Sequence, residues 1–247
     1  MTLRLLALDT STSTLSVALH DGLRAHVANE DGGARASTRL LPLVHELLAA
    51  AGLQMRSLDG IAYGCGPGAF TGLRTSCAVA QGLAWGLDRP VLPLPSLLIV
   101  AEDARLQVAP AGPVEIAVAM DARIEQVYAA RYRHEGHDGD AWHEVQAPAL
   151  LDVDALADAW RDARPQIVAG SAWAAYGDRL ALPPCRRVPA EADRAAAAMR
   201  LALQRWSPAH TVPAAQALPV YLRDKVALTT AERDAASAAK AAAGAAG

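Results

Sequence analysis

Apolar and polar residues follow the same order in two separate segments of the chain. Residues 5–19 (LLALDTSTSTLSVAL) form an apolar stretch that ends at Asp9, a turn-like segment and a second apolar stretch. Residues 117–131 (AVAMDARIEQVYAAR) repeat this order, with Asp121 aligned on Asp9 and Met120 on Leu8. Each segment predicts a β-hairpin with a carboxylate at its tip. The repeat indicates a duplicated domain, and a coincidental likeness between two hairpins is the alternative.

Apolar residues recur at helical spacing after the first hairpin, in residues 35–53. The pattern predicts an amphipathic helix with Ser37 or Thr38 capping its start. Pro42 is expected in the first turn, where its missing N–H has no partner to lose. The apolar face comprises Leu40, Leu41, Val44, Leu47, Leu48 and Ala51.

A strand–helix–strand unit is predicted next, with strands at 60–64 and 91–94 and a helix over 71–87. Elements of these lengths are typical of a βαβ unit with a parallel strand pair. The second half mixes the same elements: helices over 152–163 and 191–206, and a strand and turn over 166–172. The fold class predicted is therefore α/β.

The chain is expected to divide near residues 104–113 into an N-terminal half, 1–108, and a C-terminal half, 109–230. Residues 219–226 (PVYLRDKV) would close the ordered part. The tail, 231–247, contains no large apolar residue and is predicted to be disordered.

Composition and charge restrict the class of protein. The chain has 247 residues, a net charge of -3 and three cysteines. This charge predicts no broad attraction to nucleic acid. The cysteines match no metal-binding pair, and the N-terminus lacks a signal-peptide pattern, so a cytoplasmic protein with free thiols and no membrane association is expected. The apolar stretch 90–101 is too short to span a bilayer.

The glycine-rich segment 64–83 (GCGPGAFTGLRTSCAVAQGL) raises the question of a phosphate site. It lacks the P-loop pattern, since Leu73 and Arg74 stand where Lys and Ser or Thr are required. Pro67 interrupts a dinucleotide fingerprint and removes a backbone donor. Small residues continue into the helix as Ser76, Ala78, Ala80, Gly82, Ala84 and Gly86. We therefore favour a role in packing or docking over ligand binding.

Four segments in order resemble the TsaB (YeaZ) family of bacterial tRNA threonylcarbamoyladenosine biosynthesis proteins, related to the glycoprotease family. They are LALDTSTSTLSVAL, GPGAFTGLRTSCAVAQGLAWG, AMDARIEQVYAARY and PVYLRDKVA, and together they cover residues 3 to about 228. The resemblance implies the actin-like (ASKHA) fold, with two RNase H-like halves that each open with a β-hairpin. In catalytic relatives of this fold the hairpin residues handle phosphates or a metal.

By this resemblance a vestigial nucleotide cleft would lie between the halves. Its residues would be Asp9, Thr10, Ser11, Asp121, Arg123 and Gly170. The alternative from the residues themselves is that Asp9 and Asp121 bond nearby backbone N–H groups in turns. No metal site is expected, because Ser96 and Val100 stand where the catalytic relative TsaD carries its histidine pair.

The resemblance implies a non-catalytic subunit that binds and stabilises TsaD, with TsaE in a ternary complex and tRNA contacted indirectly. A homodimer is expected when TsaD is absent. No cofactor is expected, and the one candidate ligand is ATP or ADP at the interface of the complex. The alternatives are a glycoprotease-like peptidase and an actin-fold nucleotide hydrolase. The expected partner-binding residues are Leu41, Val44, Leu48, Gly68, Thr71, Leu73, Arg74, Cys77, Ala80 and Ala84.

Overall fold

The computed structural model describes residues 2–136, 141–180, 184–188 and 191–223. The first half contains, in order, β1 (Leu5–Asp9), β2 (Thr14–His20), β3 (Ala25–Asp31), α1 (Ala36–Ala50), β4 (Gly60–Gly66), α2 (Phe70–Leu87), β5 (Val91–Pro95) and α3 (Ser96–Val108). The second contains β6 (Val114–Arg123), β7 (Gln126–His134), β8 (Trp142–Asp152), α4 (Val153–Ala163), β9 (Ile167–Ala169), α5 (Ala172–Tyr176), β10 (Arg186–Val188) and α6 (Arg194–Arg205).

The two halves share one sheet topology. The first sheet has the order β3-β2-β1-β4-β5, and the second has β8-β7-β6-β9-β10. In each sheet the first three strands pair antiparallel and the last two join in parallel. The same order and directions in both halves confirm the duplication that the repeated hairpin predicts.

The chain forms five layers around three apolar clusters. Helices α3 and α6 lie between the two sheets, and a central cluster joins them to the inner faces of both. Helices α1 and α2 cover the outer face of the first sheet. Helix α4 covers the outer face of the second sheet, with α5 beside it. The inner strands of each sheet are therefore covered on both faces, as their apolar residues require.

Several predicted elements are confirmed, and three strands and two helices were missed. The hairpins and the helices over 35–53 and 71–87 form as the apolar spacing predicts. Helices α3 and α5 and strands β3, β8 and β10 were not predicted. All three strands are outer strands of their sheets and carry mixed polar residues. Such strands show a weaker apolar pattern than buried ones.

The start of α1 differs from the prediction. No side chain caps it, and the Thr38 hydroxyl instead donates to Arg35 O. Pro42 lies inside the helix and not in its first turn. Because Pro42 and Thr38 are both exposed, the carbonyl that Pro42 leaves without a donor faces solvent, and the cost is reduced.

The C-terminal segment of the chain packs against the first half, while the predicted division into 1–108 and 109–230 stays a prediction. Helix α3 ends at Val108 and β6 begins at Val114, but α6 packs against the first sheet. The chain then returns along that half: Val212 pairs with Val91, and Val220 N donates to Cys65 O. The predicted tail, 231–247, lies outside the described residues.

Candidate functional site

Asp9 ends β1 and is completely buried. Its Oδ1 accepts hydrogen bonds from Ser11 N at 2.7 Å and from the Ser11 hydroxyl at 2.8 Å. This is the local turn in which an aspartate bonds the backbone two residues ahead. The sequence interpretation that Asp9 bonds a nearby N–H group is confirmed.

A buried arginine from the distant α6 reaches the same carboxylate. Arg194 is 2% exposed, and its Nε lies 3.2 Å from Asp9 Oδ1. Its Nη2 donates to the Ser11 hydroxyl at 2.9 Å and to Asp9 Oδ2 and Ser96 O, both at 3.3 Å. Its Nη1 donates to Glu191. Asp9 is therefore neutralised inside the chain by a cation from the other end of the sequence.

The charges around Arg194 hold it in the protonated form. Burial alone would lower the pKa of this guanidinium, but the carboxylates of Asp9 and Glu191 outweigh burial and raise the pKa above its ordinary value. The Asp9 charge acts on Cys65 as well. Burial first and the Asp9 carboxylate second raise the pKa of the Cys65 thiol to about 12.

Two glycines of the segment 64–83, Gly68 and Gly72, allow a close approach to the tip of the first hairpin. A Cβ on Gly68 would lie 2.5 Å from Ser11 O, and one on Gly72 would lie 1.8 Å from Thr10 O. The Thr10 hydroxyl donates to Gly72 O at 2.6 Å. Any larger residue at either glycine would collide with the hairpin backbone.

Backbone donors of this loop are already engaged within the chain. Ala69 N donates to Ser11 O at 2.7 Å, and Gly66 N donates to the Ser96 hydroxyl at 3.0 Å. Pro67 supplies no donor. The hairpin tip thus occupies the position that a phosphate would need, and the loop serves packing, which the sequence favoured.

The positions that align with the metal-binding histidines of TsaD do not suit a metal. Val100 is buried in α3 and has no donor atom, and the Ser96 hydroxyl accepts from Gly66 N. Among the described residues, no group of three His, Cys, Asp or Glu side chains could hold a metal ion. Asp9 does not fit one either, because Arg194 already supplies its countercharge.

Asp121 does not join Asp9 in a single cleft. It pairs with Val127, whose side chain lies in the outer cluster of the second sheet. Its Oδ1 accepts from Tyr176 of α5 at 2.8 Å and from Arg123 N at 2.8 Å, and its Oδ2 lies 3.0 Å from the Arg123 guanidinium. Burial and the bond to Asp121 raise the pKa of Tyr176 to about 12.

A shift of one residue explains this separation. Leu8 pairs with Val17 on the outer face, as Ala119 pairs with Ala129. The structural counterpart of Leu8 is therefore Ala119 and not Met120, and Asp121 lies one residue beyond the counterpart of Asp9. Because strand side chains alternate between faces, one residue moves the carboxylate to the opposite side of the sheet.

Gly170 has a packing role in the second half. Its φ is +111°, and a Cβ there would lie 2.3 Å from Ala119 O and 2.9 Å from Met120 Sδ. Its N–H donates to Val188 O at 3.1 Å. It is thus a required glycine where β9 meets β6, independent of any nucleotide.

Most of the expected partner-binding residues lie in the interior. Six are at most 6% exposed and belong to the core or the inner side of α2: Val44, Leu48, Leu73, Cys77, Ala80 and Ala84. The apolar stripe that the sequence shows on α1 and α2 covers the chain's own sheet, which argues against these six side chains as direct contacts, and the partner-binding set stays a prediction. Leu41, Thr71 and Arg74 are exposed, and Gly68 is half-buried.

The outer side of α2 is open and partly apolar. Trp85 is 71% exposed, and a Cβ on Gly82 or Gly86 would meet nothing within 4 Å. Ala78, Gln81, Gly82 and Trp85 line a shallow groove with Ala215, with a volume of about 430 Å³. We call Ala78, Gly82, Trp85 and Ala215 the outer α2 patch.

Arg74 lies beside this patch, with its guanidinium over the Phe70 ring and the Tyr221 ring next to both. Its guanidinium carbon is 3.8 Å from the centroid of the Phe70 ring, and its Nε donates to the Tyr221 hydroxyl at 3.0 Å. The Phe70 and Tyr221 ring centroids are 5.1 Å apart. Arg74 therefore links the start of α2 to the closing segment, a contact that spacing in the sequence could not show. Arg223 extends this link, since its Nη2 donates to Arg123 O and to the Gln126 side chain.

The chain resembles known proteins over nearly its whole length. A family model described as "TsaD: tRNA N6-adenosine threonylcarbamoyltransferase" matches residues 27–184. The "tRNA threonylcarbamoyladenosine biosynthesis protein TsaB" of Haemophilus influenzae is 34% identical, over 91% of this chain and 95% of that protein. The chain belongs to the TsaB family. The protein of the same description from Escherichia coli is 31% identical over 91% of this chain and 96% of its own length.

Solved structures agree with TsaB-family membership. The crystal structure described as "YeaZ from Pseudomonas aeruginosa" is 38% identical, with a TM-score of 0.76 over 89% of this chain and 100% of that one. A second, described as "an uncharacterized protein with similarity to peptidase YEAZ" from the same organism, has a TM-score of 0.79 and 37% identity. The expected actin-like (ASKHA) fold with two RNase H-like halves is confirmed. No helix in the described part is long and apolar enough to cross a membrane.

Proposed function

We propose that this chain acts in tRNA threonylcarbamoyladenosine biosynthesis as a non-catalytic subunit that binds TsaD, the transferase. The names of its full-length TsaB relatives support the pathway. In the proposed complex TsaD transfers the threonylcarbamoyl group, and TsaE joins as the third subunit. The tRNA is contacted through the complex, consistent with a net charge of -3 on this chain.

The observation that carries the non-catalytic part is the pairing of Asp9 with Arg194. A carboxylate that handles a metal or phosphates must be accessible to them, but Asp9 is buried and neutralised internally. The nucleotide-hydrolase alternative therefore lacks an accessible carboxylate at the end of β1 to bind a metal or phosphates. The peptidase alternative needs a serine activated by a base, whereas the buried Ser11 hydroxyl is held by Asp9 and Arg194.

The outer α2 patch is the proposed docking surface for TsaD. It combines a large exposed aromatic side chain, Trp85, with small neighbours that allow another helix to approach closely. Aromatic residues commonly anchor protein interfaces, and the exposure of Trp85 in the described part of the chain favours such a role. The same patch would support a homodimer when TsaD is absent, and the interface is the proposed place for ATP or ADP.

Reconstitution tests this function. The chain is mixed with TsaD, TsaE, threonylcarbamoyl-adenylate and unmodified tRNA, and the modified nucleoside is measured by mass spectrometry. Modification should require both TsaD and this chain, and this chain alone should neither modify tRNA nor hydrolyse ATP. Unchanged threonylcarbamoyladenosine in a strain depleted of the chain would contradict the proposal.

A further inference from the structure

Oxygen atoms from four residues surround the Arg194 guanidinium. They are both carboxylate oxygens of Asp9, the Ser11 hydroxyl, the Ser96 carbonyl and a carboxylate oxygen of Glu191. Two carboxylates, a hydroxyl and a carbonyl are the ligand types that hard divalent cations take in proteins. In this chain their shared partner is an arginine side chain.

The arginine fills this oxygen cluster completely. Asp9 is 0% exposed, and Ser11, Ser96 and Arg194 are each 1–2% exposed, so these residues are closed to solvent with the guanidinium in place. One positive charge faces two negative ones, and both nitrogen ends of the guanidinium donate to oxygen. A buried carboxylate without such a partner would be strongly destabilising.

We propose that Arg194 is a built-in cation that occupies what would otherwise be a divalent-cation site formed by Asp9, Ser11, Ser96 and Glu191. Glu191 connects the site to solvent, because its side chain is 17% exposed while that of Arg194 is 1% exposed. Removal of the Arg194 side chain therefore leaves an oxygen-lined cavity that a small cation can enter. Asp9 carries the decisive charge, since it contributes two of the oxygens.

The arginine connects distant parts of the chain as a metal would. It joins α6 to the tip of the first hairpin, and Ser11 O in turn accepts from Ala69 N at the start of α2. The loop before α6 is fixed independently, because Ala192 N and Asp193 N both donate to the buried carboxylate of Asp103. The hairpin tip therefore holds the Arg194 side chain, and Asp103 holds the backbone just before Arg194.

Thermal melting of the isolated full chain with and without Mn²⁺ tests this assignment and needs no partner protein. Arg194→Ala should melt below the wild type, and Mn²⁺ or methylguanidinium should raise its melting temperature. Asp9→Asn/Arg194→Ala should lose that response. The wild type should show no rise in melting temperature with Mn²⁺ that Asp9→Asn abolishes. Arg105→Ala, which removes a half-buried arginine from the buried Glu102 that Arg200 still contacts, is the control and should not respond.

Two results would overturn the assignment. One is Mn²⁺ stabilisation of the wild type that Asp9→Asn abolishes, since the cation would then bind with Arg194 in place. The other is a folded Arg194→Ala that responds to neither cation, or no more than Arg105→Ala does. If Arg194→Ala does not fold, Asp9→Asn/Arg194→Met decides: it should melt above each single variant, and additive losses would contradict the pairing.

Discussion

Gly64 and Asp9 lie side by side on neighbouring parallel strands, and a Cβ on Gly64 would be 1.7 Å from Asp9 Oδ2. The same atom would be 3.2 Å from the Ser96 hydroxyl. The absence of a side chain at Gly64 is therefore what allows the buried carboxylate to face Arg194. A glycine that resembles part of a phosphate-binding loop in the sequence instead makes room for an internal ion pair.

Gly64→Ala should lower the free energy of unfolding by about 3 kcal/mol, because the added methyl group displaces Asp9 from its partners. Chemical denaturation measures the change. Gly82→Ala is the control, since nothing lies within 4 Å of its Cβ position in the exposed part of α2. That change should stabilise the chain by up to about 1 kcal/mol. Equal effects of the two substitutions would contradict the packing role.

The tip of the second hairpin contains a strained residue. Ile124 has φ +52° and is 65% exposed, and a β-branched residue in this conformation costs about 1–2 kcal/mol. Ile124→Gly should therefore raise the free energy of unfolding by roughly 1 kcal/mol. Leu23→Gly, at an exposed position without positive φ, should give no such gain. Destabilisation by Ile124→Gly would show that the side chain contributes contacts to the fold.

Stability should fall as the pH rises above about 9. The pKa of Cys65 is raised from its ordinary 9.0 to about 12 in the folded chain, so between these values the unfolded chain loses a proton that the folded chain keeps. One such proton lowers the free energy of unfolding by about 1.4 kcal/mol per pH unit. Cys65→Ala should reduce the slope by that amount. An unchanged slope in Cys65→Ala would contradict the assignment.

The closing segment should depend on Arg74. Tyr221→Phe keeps a ring beside Phe70 and removes the hydroxyl that accepts from Arg74 Nε. Arg74→Ala removes the stacked cation as well. Hydrogen exchange of Val220 N, which donates to Cys65 O, should speed up slightly in Tyr221→Phe and by about fivefold or more in Arg74→Ala. Unchanged exchange in Arg74→Ala would show that the backbone bond alone holds the segment.

The sequence predicts the fold well where the pattern is local. Alternating residues identify both hairpins, helical spacing identifies α1 and α2, and the repeat identifies the two halves. The outer strands β3 and β8 escape prediction because mixed polar residues are typical of strands at a sheet edge. The return of α6 to the first sheet depends on long-range packing, which no local pattern reports.

The candidate site is harder to predict for the same reason. The sequence finds Asp9 and its turn, but Arg194 lies far along the chain in an alanine-rich helix, and nothing in the spacing indicates its burial. Trp85 shows a similar difficulty. The apolar stripe on α1 and α2 predicts a docking face, but it covers the core, and the exposed tryptophan lies on the opposite side of α2.

Binding of TsaD by Gly82→Arg, measured by isothermal titration calorimetry, tests the central claim most directly. The arginine would project into open space on the outer α2 patch without straining the fold. We predict at least about a hundredfold weaker binding than the wild type at an unchanged melting temperature, with wild-type affinity for the control Gly112→Arg, which is also in open space. Wild-type affinity in Gly82→Arg would contradict the claim that this chain binds TsaD through the outer face of α2.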